Sequence, residues 1–463
     1  VFRLYKAFQD SRAILKVKTL DNFPMDYART QINLGVGPLP QLRIAETTEN
    51  CEKAIKSYQE SLKVCTFTDS PMDYATSKNN LGATYQVLAE AKDTAENCSK
   101  AIHAFQESLK VRTLDDFPMT YANTQYNLGK TYKTLAEVRD KAENCNKSIH
   151  AYQESLKVFA PETFPTNYAM TQNNLGVIYH FLAEVKDKAE NCNKAIHAFQ
   201  ESLKVFTLAD SPMDYATSQN NLGAAYGTLA VIKDTTENCN KSIQAYQEAL
   251  KVFTQEAFPM DYARTQNNLG VIYHFLAEVK DKAENCNKAI HAFQESLKVF
   301  TLADSPMDYA TSQNNLGAAY GTLAGGKDKT ENCEKAIQAF QESLKVRTLD
   351  DFPMTYANTQ NNLGIAYLKL AEVKDKVENY NNAIKAYQES LKVFTQESFP
   401  MDYTRTQYNL GVIYGTLAGG KDKTENCEKA IHAFQESLKV YTKEKFPEVY
   451  IKIEKNINNV YEL

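Results

Sequence analysis

Nine cysteines and seven histidines are the side chains of this 463-residue chain best able to hold a metal or act as nucleophiles. Eight cysteines (Cys51, Cys98, Cys145, Cys192, Cys239, Cys286, Cys333 and Cys427) fall on one ladder of 47-residue steps. Tyr380 fills the missing step, and Cys65 stands apart. No Cys-x-x-Cys occurs. Packed helices lie roughly 10 Å apart, whereas a disulfide needs Cα atoms within about 7 Å. Thiols one repeat apart therefore neither bridge nor close on a metal, and the ladder reads as a small apolar residue facing a core. His103, His150, His197, His291 and His432 form a second ladder, with Gln244, Gln338 and Lys385 at its other steps. Cys286 and His291 are five residues apart, about 140° around a helix, so they do not converge on one ion. These histidines read as surface residues.

Gly321 to Lys327, and again Gly415 to Lys421, match Gly-x-x-x-x-Gly-Lys. A phosphate loop needs Ser or Thr next, and a strand before it. Here Asp328 and Asp422 follow and a helical pattern precedes. The glycines read instead as the end of one helix before the start of another. No His-Glu-x-x-His, Gly-x-Ser-x-Gly or Gly-x-Gly-x-x-Gly occurs, so the sequence indicates no enzyme, no cofactor and no metal.

The elements that place these ladders come from one unit, Pro259 to Ser305, of which the rest of the chain is copies. Prolines stand at 24, 71, 118, 165, 212, 259, 306, 353, 400 and 447. Tyr262, Gln266, Leu269, Tyr273 and Leu276 are spaced 4, 3, 4, 3, one stripe of a first helix. Cys286, Ile290, Phe293, Leu297 and Phe300 repeat that spacing in a second helix. Each helix is expected to run for roughly 20 residues, or about 30 Å, and a link of two or three residues makes the pair antiparallel. Pro259 suits a first helical position. Ser305-Pro306 with Asp308 resembles a capping box. Asp281-Lys282-Ala283-Glu284, repeated from Asp93 to Asp422, predicts a side-chain cap at the second helix. Gly270 and its equivalents predict a close approach of the two helices, since a helical glycine costs about 1 kcal/mol against alanine. One hairpin cannot bury both stripes; a stack of copies can.

The unit resembles the tetratricopeptide repeat. Leu269-Gly270-x-x-Tyr273, then Ala289, Phe293 and Ser296, follow its Leu-Gly-x-x-Tyr and Ala-x-x-x-Phe-x-x-Ala pattern. The resemblance covers almost the whole chain, nine times over. It departs in period, 47 rather than about 34 residues, in seven extra residues between Tyr273 and Ala289, in six more between Ser296 and Leu316, and in Gln266 where the family has Trp. The extra residues are expected to lengthen the helices. The resemblance implies an all-α, right-handed superhelical solenoid of stacked antiparallel helix hairpins. It also implies a non-enzymatic scaffold that holds a peptide or protein partner along a concave face lined by the first helices.

Residues 1–23 read as a lone second-type helix, 24–445 as nine hairpin repeats, and 446–463 as a lone first-type helix. In the first repeat Gly37-Pro38-Leu39-Pro40 should break the helix. Net charge is −5 and the charge is dispersed, with no basic block, so nucleic acid is not indicated. No apolar run is long enough for membrane insertion. Unpaired cysteines point to a cytoplasmic, soluble protein, a filament to an extracellular one.

Two surfaces carry the functional expectations. Asn80, Asn127, Asn174, Asn221, Asn268, Asn315, Asn362 and Asn409 precede the repeat's leucine, as Asn33 does. Their amides either hold an extended peptide or bond across to the neighbouring repeat; the sequence leaves both open. The alternative function is a structural subunit that binds copies of itself head to tail in a filament. Its contacts would be Val1, Phe2, Leu4, Tyr5 and Phe8 at one end and Tyr450, Ile457 and Tyr461 at the other.

Overall fold

The computed structural model describes residues 20–35, 44–326, 328–420 and 422–463. The expected break at Pro38 and Pro40 and the apolar face from Val1 to Phe8 lie outside them. The chain divides into two units, Val1–Asp234 and Thr235–Leu463. The described residues are helical, with no strand among them.

In the first unit the helices are α1 (Pro24–Gly35), α2 (Ile44–Ser61), α3 (Pro71–Ala91), α4 (Thr94–Leu109), α5 (Pro118–Val138), α6 (Lys141–Leu156), α7 (Pro165–Leu182), α8 (Lys188–Leu203) and α9 (Pro212–Ala230). The second holds α10 (Thr235–Ala249), α11 (Pro259–Leu276), α12 (Lys282–Leu297), α13 (Pro306–Leu323), α14 (Lys329–Leu344), α15 (Pro353–Ala371), α16 (Lys376–Leu391), α17 (Pro400–Leu417), α18 (Lys423–Leu438) and α19 (Pro447–Tyr461). Within each unit every helix packs on its sequence neighbours, and first-type helices also touch the next first-type helix, as α11 touches α13. Each unit is thus a stack of antiparallel hairpins, the architecture the repeats imply. No described helix is long and apolar enough to cross a membrane.

Proline opens the first-type helices at N1 or N2, as expected. The side-chain caps do not form. Ser305 makes no cap bond; its Oγ accepts from Thr301 N–H at 3.3 Å, because the preceding turn already uses Thr301 and Asp304 in a reciprocal pair. The first helical N–H in line is taken instead by the Ser305 backbone carbonyl, through Tyr309 N–H at 2.9 Å. At the second helix Asp281 makes no side-chain cap bond either. Its backbone is left-handed, with φ 44° and ψ 53°. Its seven equivalents, from Asp93 to Asp422, also have positive φ. The chain reverses from one helix to the next here, and Asp is among the few non-glycine residues that tolerate positive φ. Asn285 fixes the reversal, its Nδ2 donating to Lys280 O at 2.8 Å. Asn97, Asn144, Asn191 and Asn379 do the same in their repeats.

The second helix is shorter than the stripe suggests. α12 has 16 residues and stops at Leu297. Phe300 follows in a turn, held by its N–H to Ser296 O at 3.0 Å, and is still buried. The extra residues before Leu316 therefore go largely into the turn between hairpins. Within a hairpin the link varies, from Lys92-Asp93 to the five residues Ala277–Asp281. Along the first helix the buried set is Ala263, Thr265, Leu269, Gly270, Ile272 and Leu276. Tyr262, Gln266 and Tyr273 are only half-buried. Tyr262 closes the hairpin instead, its hydroxyl donating to Glu295 Oε2 at 2.7 Å.

Every cysteine is free, eight are buried and Cys427 is half-buried. Ala289, Ile290 and Phe293 of α12 form one cluster with Leu316 and Ala319 of α13 and Ala339 of α14. Each second-type helix in such a cluster is packed between two first-type helices, so the core continues from repeat to repeat. The expected close approach is present. A Cβ on Gly270 would lie 2.6 Å from Phe293 Cε1, and one on Gly82 would lie 2.8 Å from Phe105 Cε1. Gly270→Ala should therefore cost about 1–3 kcal/mol by overpacking, read as a lower urea midpoint. Parent-like stability would show that the ring gives way freely.

Candidate interaction site

Lateral rungs between first-type helices engage Asn174, Asn221 and Asn315 of the asparagine ladder. In the first unit Asn173 Oδ1 accepts from Ser218 Oγ at 3.2 Å and from Asn221 Nδ2 at 3.3 Å. In the second, Asn267 Oδ1 accepts from Ser312 Oγ and Asn315 Nδ2, both at 3.3 Å. Where tyrosine replaces the first asparagine of a pair, Asn174 Nδ2 donates to Tyr126 OH at 2.8 Å. Asn409 Nδ2 donates to Tyr387 OH at 3.3 Å, and Asn80 Oδ1 accepts from Asn79 at 3.4 Å. Asn127, Asn268 and Asn362 are half-buried on the same ladder, while Asn33 is exposed. A rung takes one N–H of an amide that has two donors and a carbonyl with two lone pairs. The ladder thus links neighbours and keeps hydrogen-bonding capacity outside the rung.

Other rungs lie nearly two turns further along. His180 Nε2 meets Thr228 Oγ1 at 2.8 Å, His274 Nε2 meets Thr322 Oγ1 at 2.9 Å, and Lys369 Nζ donates to Gly321 O at 2.8 Å. Burial pushes both histidines below the ordinary value of 6.5, against the smaller opposing pull of Glu184 and Glu278. The histidine ladder of the second helices is elsewhere. His150 and His197 are exposed at the groove rims, with Glu154 and Glu201 beside them.

Between second-type helices a groove of about 540 Å³ is lined by Gln172, Leu175, Tyr179, Glu190, Lys194 and His197 among others. Its equivalent recurs around Tyr132 and Lys147. The Lys194 ammonium lies 5.7 Å from the centre of the Tyr179 ring and 2.6 Å from Glu190 Oε1. The charges there neutralise one another, and no nucleophile is set beside a base. Among the described residues no three His, Cys, Asp or Glu side chains are grouped as metal ligands.

Sequence reasoning missed two buried arginines. Arg112 and Arg347 are each 7% exposed, at the step where Phe159, Phe206, Phe253, Phe300 and Phe394 are buried. Arg347 donates to Thr359 Oγ1 and Thr311 Oγ1, each at 3.1 Å, and thereby ties two first-type helices together. Its Nε has no partner among the described residues. The signal was available as an Arg at a Phe step of the repeat.

These features define a tetratricopeptide-like array of helix hairpins. The chain is similar to the C-terminal part of a TPR repeat-containing protein from Cytophaga hutchinsonii, with 13% identity over 69% of this chain and 97% of that one, TM-score 0.41. It is similar to the apo form of RapI, with 12% identity over 90% and 98% of the two chains, TM-score 0.48. A third similar structure is a signal transduction ATPase with a tetratricopeptide repeat sensor from Pyrococcus horikoshii, with 15% identity and TM-score 0.48. There the match covers 89% of this chain and 55% of the other. No protein-family model matches the chain, and no curated protein matches it.

Two outcomes follow from the buried groups. Well above pH 6.5 His180 and His274 are neutral in both folded and unfolded chains. As pH falls below 6.5 the unfolded chain takes the protons and the folded chain resists, so stability is lost. The loss is at most about 1.4 kcal/mol per histidine per pH unit. Urea midpoints between about pH 7.5 and 5.5 should fall in the parent and flatten in His180→Gln/His274→Gln. Arg347→Phe should stabilise by about 1–3 kcal/mol, because an apolar side chain replaces a buried unpaired cation. The new ring would also face Phe352, as Phe394 faces Phe399 at 5.9 Å. A lower melting temperature would mean that the threonine bridge outweighs desolvation.

Proposed function

We propose that the chain is a non-enzymatic interaction scaffold that holds a peptide or protein partner along the face built by its first-type helices. The observation that carries this reading is the asparagine ladder. The rungs at Asn174, Asn221 and Asn315 each leave amide capacity outside them at the same step of the repeat, and an extended peptide backbone offers donors and acceptors in a similar regular series. The satisfied charges of the second-helix grooves support a binding role over a catalytic one.

The test is selection of peptides from a displayed library on the full chain, followed by Asn268→Ala/Asn362→Ala. Each lost hydrogen bond is worth about 0.5–1.5 kcal/mol, so the double variant should weaken a selected peptide about fivefold or more with an unchanged melting temperature. Peptides that bind equally well to both proteins would move the site off the ladder.

Self-assembly into a filament is the second reading, and one observation favours it. On α19 Ile451 is 60% exposed and Tyr461 is 67% exposed. Ala310 and Thr404, which occupy the Ile451 step in earlier repeats, are fully buried. They lie under their second-type helices, as Ser343 Oγ donating to Ala310 O at 2.8 Å shows. Tyr450 and Ile457 are half-buried, and Ile457 packs towards α18. α19 therefore presents an open side of the kind a second-type helix covers. Long particles in negative-stain images of the intact chain, lost on removing residues 446–463, would support this reading. A monomer at high concentration would end it.

A further inference from the structure

The hairpin tip between α13 and α14 differs in its charges from two other tips of the array. At two other tips, a lysine at the start of a second-type helix pairs with a glutamate in the following repeat. Lys141 pairs with Glu184 at 2.5 Å, and Lys329 pairs with Glu372. The glutamate step after Lys282 is Gly325. Lys282 thus lacks the carboxylate that Lys141 and Lys329 have, and its Nζ lies 3.6 Å from where a Gly325 Cβ would be.

A second cation reaches the same tip from the other side. Lys369 occupies a step that is Thr or Phe in the neighbouring repeats, as at Thr322, Phe275 and Thr416. Its half-buried ammonium donates to Gly321 O, one turn before Gly325. Burial, Lys282 and Lys329 all act to lower its pKa, while Glu372 and the buried Cys333 oppose them. Glu372 is already bound to Lys329. The tip therefore gathers three ammonium groups from successive repeats beside the Glu372 carboxylate. Gly325 and Gly326 are exposed and leave their side open.

We propose that Lys282 and Lys369, converging on the Gly321–Gly326 tip, form a binding site for a phosphate monoester. Two ammonium groups without carboxylates match the charge of about −1.5 to −2 that such a group carries near neutral pH. Lysine holds phosphate as a point charge, without the fork geometry of arginine. The site is not a nucleotide loop, because its backbone N–H groups are engaged: Gly326 N–H bonds to Leu323 O at 3.0 Å. As a site on a scaffold it would read a phosphorylated side chain of the partner, and that part rests on the scaffold reading above.

The structure supplies its own inhibitory variant. Gly325 does not have positive φ, and a Cβ there meets nothing closer than 3.6 Å. Gly325→Glu should therefore fold and give Lys282 the ion pair that Lys141 has. The full chain would be titrated with inorganic phosphate and with a phosphoserine peptide at constant ionic strength, by calorimetry and by thermal shift. Parent protein should bind and be stabilised in a saturable way. Gly325→Glu and Lys369→Thr should each bind at least about tenfold more weakly, while Gly419→Glu, at the tip without a second lysine, should behave as the parent. Binding of inorganic phosphate alone would keep the site and assign it to a free ion. Binding of the peptide as well would extend it to a partner. Equal binding by all four proteins, or by none, would overturn it, whatever becomes of the asparagine ladder.

Discussion

The contact between a first-helix glycine and a second-helix aromatic sets the geometry on which the rest depends. At Gly270 the ring of Phe293 occupies the space that any other residue's side chain would need. That brings the helices of a hairpin close enough for Ala263 and Ser296 to be fully buried beside each other's elements. With the hairpin fixed, the second helix also packs on the next first helix, as Phe293 and Ile290 do against Leu316. The rungs between first helices form at the spacing this packing leaves. A polar ladder needs donor and acceptor within about 3.5 Å at every step, so it reports how regular the apolar packing beneath it is.

Much of this was legible because the sequence is written many times. Spacing within one unit gave two helices, and the 47-residue step gave the stack. What was misread is local backbone chemistry. Asp281 looks like a cap because Asp caps helices, yet it serves here as a residue that tolerates positive φ, and the capping bonds come from backbone carbonyls. Nothing in Asp-Lys-Ala-Glu distinguishes the two uses. Likewise the spacing that placed Phe300 in a helical stripe is satisfied by a buried ring just beyond the helix end. Asn285 escaped notice because its role is to close a reversal that the sequence had joined by a featureless link.

The candidate site was legible as a ladder but not as rungs. Asn in a helix interior costs several tenths of a kcal/mol against Ala, which marks Asn268 and Asn315 as residues with a task. The partner of Asn315 is Asn267, 48 residues earlier. No spacing rule within one helix points to it. Only the lateral packing of first helices defines the pair. The same holds for His274 and Thr322, a pair whose members have no common pattern in the sequence.

In a chain of near-copies the departures carry more information than the consensus. Replacing Phe by Arg347 puts a guanidinium where burial disfavours charge, and the loss is only partly offset by two threonine hydroxyls. Replacing Glu by Gly325 removes an ion pair that a sister repeat makes, and adding Lys369 places like charges together. Each change works against the stability of the stack at a position where the repeat already holds a residue that packs or pairs. Exposed ion pairs are worth little singly, so loss of one at a tip is tolerated. A half-buried ammonium facing two others is less easily tolerated without an anion. The regular positions therefore account for the fold. Irregular ones such as Lys369 are where a partner's chemistry would make good what the stack gives up.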